Sequence, residues 1–271
     1  MKKKQILTAK NANPFELYEK SVQNVDFEVE FIDKIYKKYT KKKCLTIRED
    51  FCASAKISQA WVKSHSGKKA IAVDLDDTIL NYARSECKNS LSNEEMTRIK
   101  ILKGNSQSKI TPKVDCVSAF NFSYWVFKKR IDLIKYFKNA YKNLKPNGLI
   151  MLDAFGGYDA HQELEERTNY RDFTYCWDQH SFNPITNDIT CYIHFEFKDG
   201  SSLKKAFEYN WRLWSLPEIR ECLFEAGFKR VDYYMQGWDE KKDEETEEFY
   251  KMTKCDADPG WLAYIIASKF K

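Results

Sequence analysis

TIREDFCASA at residues 46–55 and AIAVDLDD at residues 70–77 decide the fold. The first stretch is typical of a strand that runs into a turn of small residues, and the second of a strand that ends in carboxylates. In α/β folds such a turn lets the backbone approach an adenosine-containing cofactor, while the acidic residue accepts hydrogen bonds from the ribose hydroxyls. The two stretches therefore predict an α/β fold that binds a cofactor of this kind.

Strands and helices alternate on both sides of these stretches. Short apolar runs at 114–120 and 149–153 are typical of strands buried on both faces, and a helix is predicted between them. Two further strands are predicted at 228–235 and 261–267. The alternation favours right-handed crossovers, which predicts a Rossmann-like parallel sheet of seven strands with helices on both faces.

The pattern changes after the fifth strand. Three segments rich in aromatic and β-branched residues, 173–182, 189–197 and 202–211, are separated by Asn183-Pro184 and Asp199-Gly200. Such turn signals predict an antiparallel three-stranded insertion over residues 170–212. We expect helices at 1–43 and a cofactor-binding domain over 44–271, with the insertion overhanging the sheet as a substrate cap.

Composition limits the class of protein. The 271 residues are 43% hydrophobic and 15% aromatic, which excludes general disorder, and the net charge of +5 is only a weak argument for a nucleic-acid partner. Eight cysteines without a CxxC pair are typical of reduced thiols in a cytoplasmic protein. Four histidines without ligand spacing predict no metal site. No apolar run is long enough to cross a membrane.

The order of these elements resembles the class I S-adenosylmethionine (SAM)-dependent methyltransferases. The resemblance is closest to a poorly characterised group with REDFC after its first strand and AFNFSY after its fourth, here residues 48–52 and 119–124. One departure is in the first motif of the superfamily, where Phe51, Ala53 and Ala55 occupy the positions of three glycines. Alanine disfavours positive φ and fills space near the ligand, and Phe51 is a candidate wall of the cofactor pocket.

The resemblance implies SAM as the cofactor. Glu49 is expected to orient the methionine amino group, and Asp74 to accept both ribose hydroxyls, a bidentate task that suits a carboxylate. Arg48 pairs either with the cofactor carboxylate or with Asp50. The full set of residues implied at the cofactor is Tyr18, Arg48, Glu49, Phe51, Ala53, Asp74, Leu75, Asn105, Ser106, Asn121 and Phe122.

The acceptor is expected at the carboxyl end of the fourth strand, where open α/β sheets bind ligands. The candidate substrate-binding residues are Ser123, Tyr124, Trp125, Trp177, His180, Trp211 and Arg212. Tyr124 and His180 are the candidate catalytic groups, His180 because the ordinary pKa of histidine suits a general base. Aromatic core packing and a structural histidine are the alternatives.

The favoured function is methyl transfer from SAM to a nitrogen or oxygen nucleophile of a small molecule, since an aromatic insertion suggests an enclosed pocket. A nucleic-acid or protein acceptor is the second choice. A non-catalytic module that binds SAM or S-adenosylhomocysteine (SAH) is the alternative from another class, because the glycines are missing. An NAD-dependent oxidoreductase is disfavoured by the absence of GxGxxG. The oligomeric state stays open.

Overall fold

Two helices precede the central sheet in the computed structural model, which describes residues 6–108, 112–239 and 244–271. Helix α1 spans Pro14–Ser21, and the Asn13 side chain caps it by accepting a hydrogen bond from the Phe15 N–H. Helix α2 spans Val25–Thr40 and buries one apolar face. The basic residues 1–5 lie outside the described ranges.

The next elements alternate as the sequence predicts. The parallel strands are β1 (Thr46–Asp50), β2 (Lys69–Asp74), β3 (Ile99–Lys103), β4 (Val114–Ala119) and β5 (Leu144–Gly156). The helices between them are α3 (Lys56–Ser64), α4 (Asp77–Ser90), α5 (Asn93–Met96) and α6 (Arg130–Asn143).

A second, antiparallel sheet follows β5. Its strands, in spatial order, are β6 (Leu164–Asn169), β7 (Phe173–Asn183), β8 (Asp188–Phe197) and β9 (Ser202–Arg212). The three predicted strands match β7, β8 and β9, and β6 is an addition. Strand β6 has the sequence LEERTN, which lacks the apolar alternation that identifies a strand.

The chain then returns to the central sheet through α7 (Leu216–Ala226), β10 (Arg230–Asp239), β11 (Glu244–Met252) and β12 (Trp261–Ser268). The central sheet has the order β11-β10-β12-β5-β4-β1-β2-β3, and β12, β10 and β11 run antiparallel to their neighbours. This is the predicted Rossmann-like architecture with one more strand, β11. That strand is a charged edge strand whose Phe249 packs on Phe27 of α2.

Helices cover both faces of the central sheet. On one face, α6 and α7 bury residues such as Phe137 and Leu223, and on the other α2 and α3 bury Ile32 and Trp61. The strand order reverses between β1 and β4, so a crevice opens at their carboxyl ends. Nowhere in the described ranges is a helix both long and apolar enough to span a membrane.

Candidate functional site

The turn after β1 has a left-handed backbone. Phe51, Ala53 and Ala55 have φ values of 55°, 44° and 58°. These are the three positions that carry glycine in the superfamily motif. A non-glycine residue in this region costs roughly 1–2 kcal/mol. The chain therefore keeps a backbone conformation that favours glycine although it lacks the glycines.

The carboxylate of Asp74, at the end of β2, holds this turn in place. It accepts hydrogen bonds from the backbone N–H groups of Ala53 at 2.9 Å, Leu75 at 2.7 Å and Asp76 at 3.1 Å. Asp74 is half-buried and the side chain of Leu75 is exposed. A carboxylate offers about four acceptor positions, so Asp74 retains capacity for a ligand on its open side.

Glu49 lies at the base of the same turn. Its side chain is buried, and it accepts a hydrogen bond of 2.8 Å from the backbone N–H of Ser58 in the first turn of α3. A helix N-terminus favours a carboxylate, but burial is the larger effect and raises the pKa of Glu49 to about 7. Glu49 is thus a buried, hydrogen-bonded acid whose pKa is close to neutral pH.

Arg48 forms an ion pair with Asp50. The two side chains are completely buried, with 2.6 Å between Nη2 and Oδ2, and the Tyr136 hydroxyl donates to the same oxygen at 3.0 Å. Side chains alternate along a strand, so this pair lies on the face of β1 opposite Glu49. Of the two partners proposed for Arg48, the structure shows Asp50.

A second left-handed turn follows β4. Asn121 and Phe122 have φ values of 55° and 56°, and their backbone N–H groups donate to the Asp153 carboxylate at 2.6 and 2.9 Å. Asp153 is buried near the end of β5, and burial raises its pKa to about 7. Sequence reasoning missed this residue. The available signal was an acid that follows a buried apolar run, as Asp74 does.

The residues after this turn enter the core. Tyr124 and Trp125 are completely buried, the Tyr124 hydroxyl donates to the Asp153 carbonyl at 2.8 Å, and burial raises its pKa well above the ordinary value. The Ser123 hydroxyl donates to the Phe120 carbonyl. The structure therefore places these candidate substrate and catalytic residues among packing contacts.

The loop after β3 lies beside Asp74, since the Gly104 N–H donates to the Asp74 carbonyl at 2.8 Å. Asn105 is exposed, and its side chain accepts a hydrogen bond from the Gln107 N–H. Ser106 is buried, and its carbonyl accepts a hydrogen bond from Asn139. Of the two, Asn105 is the one open to a ligand.

A cavity of about 360 Å³ lies between the antiparallel sheet and the carboxyl edge of the central sheet. The predicted site residues that line it are Tyr18, Asn121, Phe122, Trp177 and Trp211. Its wall also includes Phe155, Tyr175, Tyr209 and Trp261, which sequence reasoning did not select. Eight of the 21 residues that line the cavity are therefore aromatic, with Tyr209 stacked on Trp211 at 4.3 Å.

His180 and Arg212 do not line this cavity. The His180 side chain is 55% exposed, with Nδ1 3.8 Å from Asp178, on the face of β7 opposite Trp177. Arg212 pairs with Glu218 at 2.8 Å and stacks on Trp214. In the described ranges, no three side chains of the metal-binding types form a metal site.

The sequence matches no protein-family model and no curated protein. Among solved structures, it is similar to a SAM-dependent methyltransferase from Clostridium acetobutylicum, with 17% identity, coverage of 93% of this chain and 96% of that one, and a TM-score of 0.70. It is also similar to SAM-bound CalS10, an amino pentose methyltransferase from Micromonospora echinaspora. The identity is 9%, the match covers 98% of this chain and 99% of that one, and the TM-score is 0.67. A third similar structure is KedS8, a sugar N-methyltransferase from Streptoalloteichus. The identity is 9%, the match covers 99% of this chain and 96% of that one, and the TM-score is 0.63. The chain has the fold of SAM-dependent methyltransferases.

Proposed function

We propose that the protein is a methyltransferase that uses SAM and methylates a nitrogen or oxygen nucleophile of a small molecule. The observation that carries this proposal is the turn after β1. Phe51, Ala53 and Ala55 keep three left-handed conformations where the superfamily has glycine, and Asp74 is docked against them. Such costly conformations persist where the surrounding structure enforces them, and they cluster at ligand sites.

The residues around this turn fit SAM. Glu49 is a buried acid suited to an ammonium group, Asp74 is an open acceptor suited to ribose hydroxyls, and exposed Leu75 offers an apolar surface to adenine. The ring of Phe51 packs against Phe127 and Tyr136 at 5.9 and 5.7 Å. When bound, SAM supplies a methyl group activated by its sulfonium. The chain's own residues bind the reactants, orient them and exclude water.

The cavity supports a small-molecule acceptor. Its volume of about 360 Å³ is within the range of small-ligand sites, and the antiparallel sheet closes one side. The similar structures include methyltransferases of an amino pentose and of a sugar nitrogen. A nucleic-acid or protein acceptor remains the second possibility within the same reaction class.

The alternative is a non-catalytic module that binds SAM or SAH. The side chains of Phe51, Ala53 and Ala55 favour the non-catalytic module, since they occupy space that glycine would leave free for the cofactor. Of the two candidate catalytic side chains, Tyr124 is buried and His180 faces away from the cavity. Methyl transfer to an amine needs little more than positioning, so this arrangement is compatible with catalysis.

Isothermal titration calorimetry with SAM, SAH and NAD tests the cofactor. We expect sub-millimolar dissociation constants for SAM and SAH and no measurable NAD binding. If neither SAM nor SAH binds, the proposal fails. Release of SAH in the presence of a panel of amines and alcohols then tests turnover, and binding without turnover against the panel would favour the module.

We also infer a reducing compartment such as the cytoplasm. All eight cysteines are free, and seven of them are buried. Buried thiols pack as small apolar side chains, which suits an environment that keeps them reduced. Localisation of a tagged full-length chain by fractionation checks this inference.

A further inference from the structure

The ionisable side chains in the cavity wall are acidic. Among the described residues, Asp159, Glu166 and Glu245 line it, and no lysine, arginine or histidine does. The whole chain has 45 lysines and arginines and only 40 acids, so a wall with acids alone is opposite to the overall balance. In the described part of the cavity wall, the formal charge therefore differs in sign from the net charge of the protein.

Three more carboxyl groups are buried and interact electrostatically with one another. Glu28, Glu49 and Asp153 are each at most 4% exposed, and Glu28 Oε2 has no hydrogen-bond partner. After burial, the charges of Asp153 and Glu49 are the next causes that raise the pKa of Glu28. The charges of Glu28 and Asp153 also reach Tyr18 in the cavity wall, where they add to burial in raising the pKa of the phenol. Because burial favours the protonated form of these three groups, the negative charge of the cavity wall comes from Asp159, Glu166 and Glu245.

Aromatic faces provide the second feature of the wall. Trp177 lies 6.3 Å from Trp211 and 6.1 Å from Tyr209, measured between ring centroids. Tyr18 and Tyr175 line the same cavity. The face of an aromatic ring attracts a cation electrostatically, most strongly where water is excluded. Carboxylates and π faces together are complementary to an organic ammonium group and unfavourable for phosphate.

We propose that this cavity selects a cationic amine as the methyl acceptor and rejects phosphate-bearing acceptors, nucleic acids included. The inference rests on the proposed function and names its substrate class. The acceptor enters as an ammonium ion and gives one proton to water. Its free electron pair then forms the new C–N bond, while the C–S bond breaks and leaves its electron pair on sulfur. The product is an N-methylammonium ion, so the bound acceptor is a cation before and after transfer.

The test uses protein saturated with SAH, so that the proposed cofactor site is filled. The probes are choline, its uncharged isostere 3,3-dimethylbutan-1-ol, and phosphocholine. Binding of each probe is measured by the change in tryptophan fluorescence. We expect choline to bind at least tenfold more tightly than the isostere and more tightly than phosphocholine. Equal or tighter binding of either comparison compound overturns the inference.

The two proposals fail separately. SAH binding is measured first by calorimetry, and its absence contradicts the proposed function. If SAH binds and choline is not preferred, the proposed function stands and the cationic acceptor is wrong.

A matched pair of variants assigns the preference to the wall. Glu166 lines the cavity, whereas its neighbour Glu165 lies on the other face of β6 and pairs with Arg167 at 2.7 Å. Both side chains are exposed, so neither change threatens folding. Glu166→Gln is expected to weaken choline binding at least threefold, and Glu165→Gln to leave it unchanged. No loss in Glu166→Gln, or equal losses in both variants, contradicts recognition by this wall.

Discussion

The turns after β1 and β4 are both held by a carboxylate, but the two carboxylates differ in burial. In each, left-handed residues follow a parallel strand, and a carboxylate from the adjacent outer strand accepts hydrogen bonds from their N–H groups. Asp74 is half-buried beside an exposed leucine, whereas Asp153 is 4% exposed and has a pKa of about 7. The comparison indicates that Asp74 anchors its turn and keeps one side open to solvent, while Asp153 serves mainly as an anchor.

Among the substitutions, removing the buried anchor Asp153 should have the largest effect on stability. Asp153→Ala removes two hydrogen bonds and leaves the N–H groups of Asn121 and Phe122 without their acceptor. We expect a loss of about 4 kcal/mol in the free energy of unfolding. Urea denaturation at pH 7 measures it. Asp74→Ala is the matched variant, and its loss should be smaller, since water can reach the freed groups. Equal losses would contradict the distinction between the two anchors.

The stability of the protein should fall as the pH rises from about 5 to 8. Asp153 and Glu49 have pKa values of about 7 in the folded protein, above the ordinary values of 3.8 and 4.5. The folded state therefore binds more protons than the unfolded state between about pH 4 and 7. Stability contributed by the protonated groups is complete below their unfolded pKa values and is lost as the pH passes 7.

We expect the free energy of unfolding to decrease by about 5 kcal/mol over this range, because each of the two groups contributes about 1.36 kcal/mol per pH unit between pH 5 and its folded pKa of about 7. Urea titrations at pH 5, 6, 7 and 8 measure it. Asp153→Asn removes one titrating group, so its stability should change less with pH than that of the wild type. A stability that rises from pH 5 to 8 would show that the two acids are ionised throughout.

The affinity for SAM tests the proposed role of Asp74. Asp74→Ala should weaken SAM binding by about 1–3 kcal/mol, because a charged acceptor for the ribose is lost. Asp76→Ala is the control, since Asp76 caps α4 through the Thr78 N–H and belongs to the same surface. Calorimetry should show a loss in the first variant only. Unchanged affinity in Asp74→Ala would remove this residue from the site.

The sequence predicted the first turn and not the second for a physical reason. The turn follows β1 and Asp74 ends β2, and both strands are recognisable from their own residues. The contact between Asp74 and the turn therefore follows from a single β-α-β unit. The link from Asp153 to Asn121 joins residues 32 apart through the pairing of β4 with β5. Nothing in the local pattern of either stretch fixes that contact.

Burial was harder to predict than strand position. A stretch of aromatic and hydroxyl residues such as 121–125 has the same composition in a core as in a binding site, and the structure places Tyr124 in the core. The alternation of side chains along a strand did contain usable information. Trp177 and His180 are three positions apart in β7, so regular alternation puts their side chains on opposite faces. Only Trp177 lines the cavity.

The smallest effect concerns the missing glycines. Ala53 has a φ of 44°, and Ala53→Gly relieves a strain of roughly 1–2 kcal/mol while the unfolded chain gains entropy that offsets about 0.4–1 kcal/mol. We expect a net stabilisation of up to about 1.6 kcal/mol and no loss of SAM affinity. Ala60→Gly, inside α3, makes the same chemical change in a right-handed helix and should destabilise by about 1 kcal/mol. Opposite signs in urea denaturation would show that the turn after β1 keeps its left-handed path against the preference of its own residues. If Ala53→Gly is as destabilising as Ala60→Gly, alanine is not strained there, and the turn requires no ligand-site explanation.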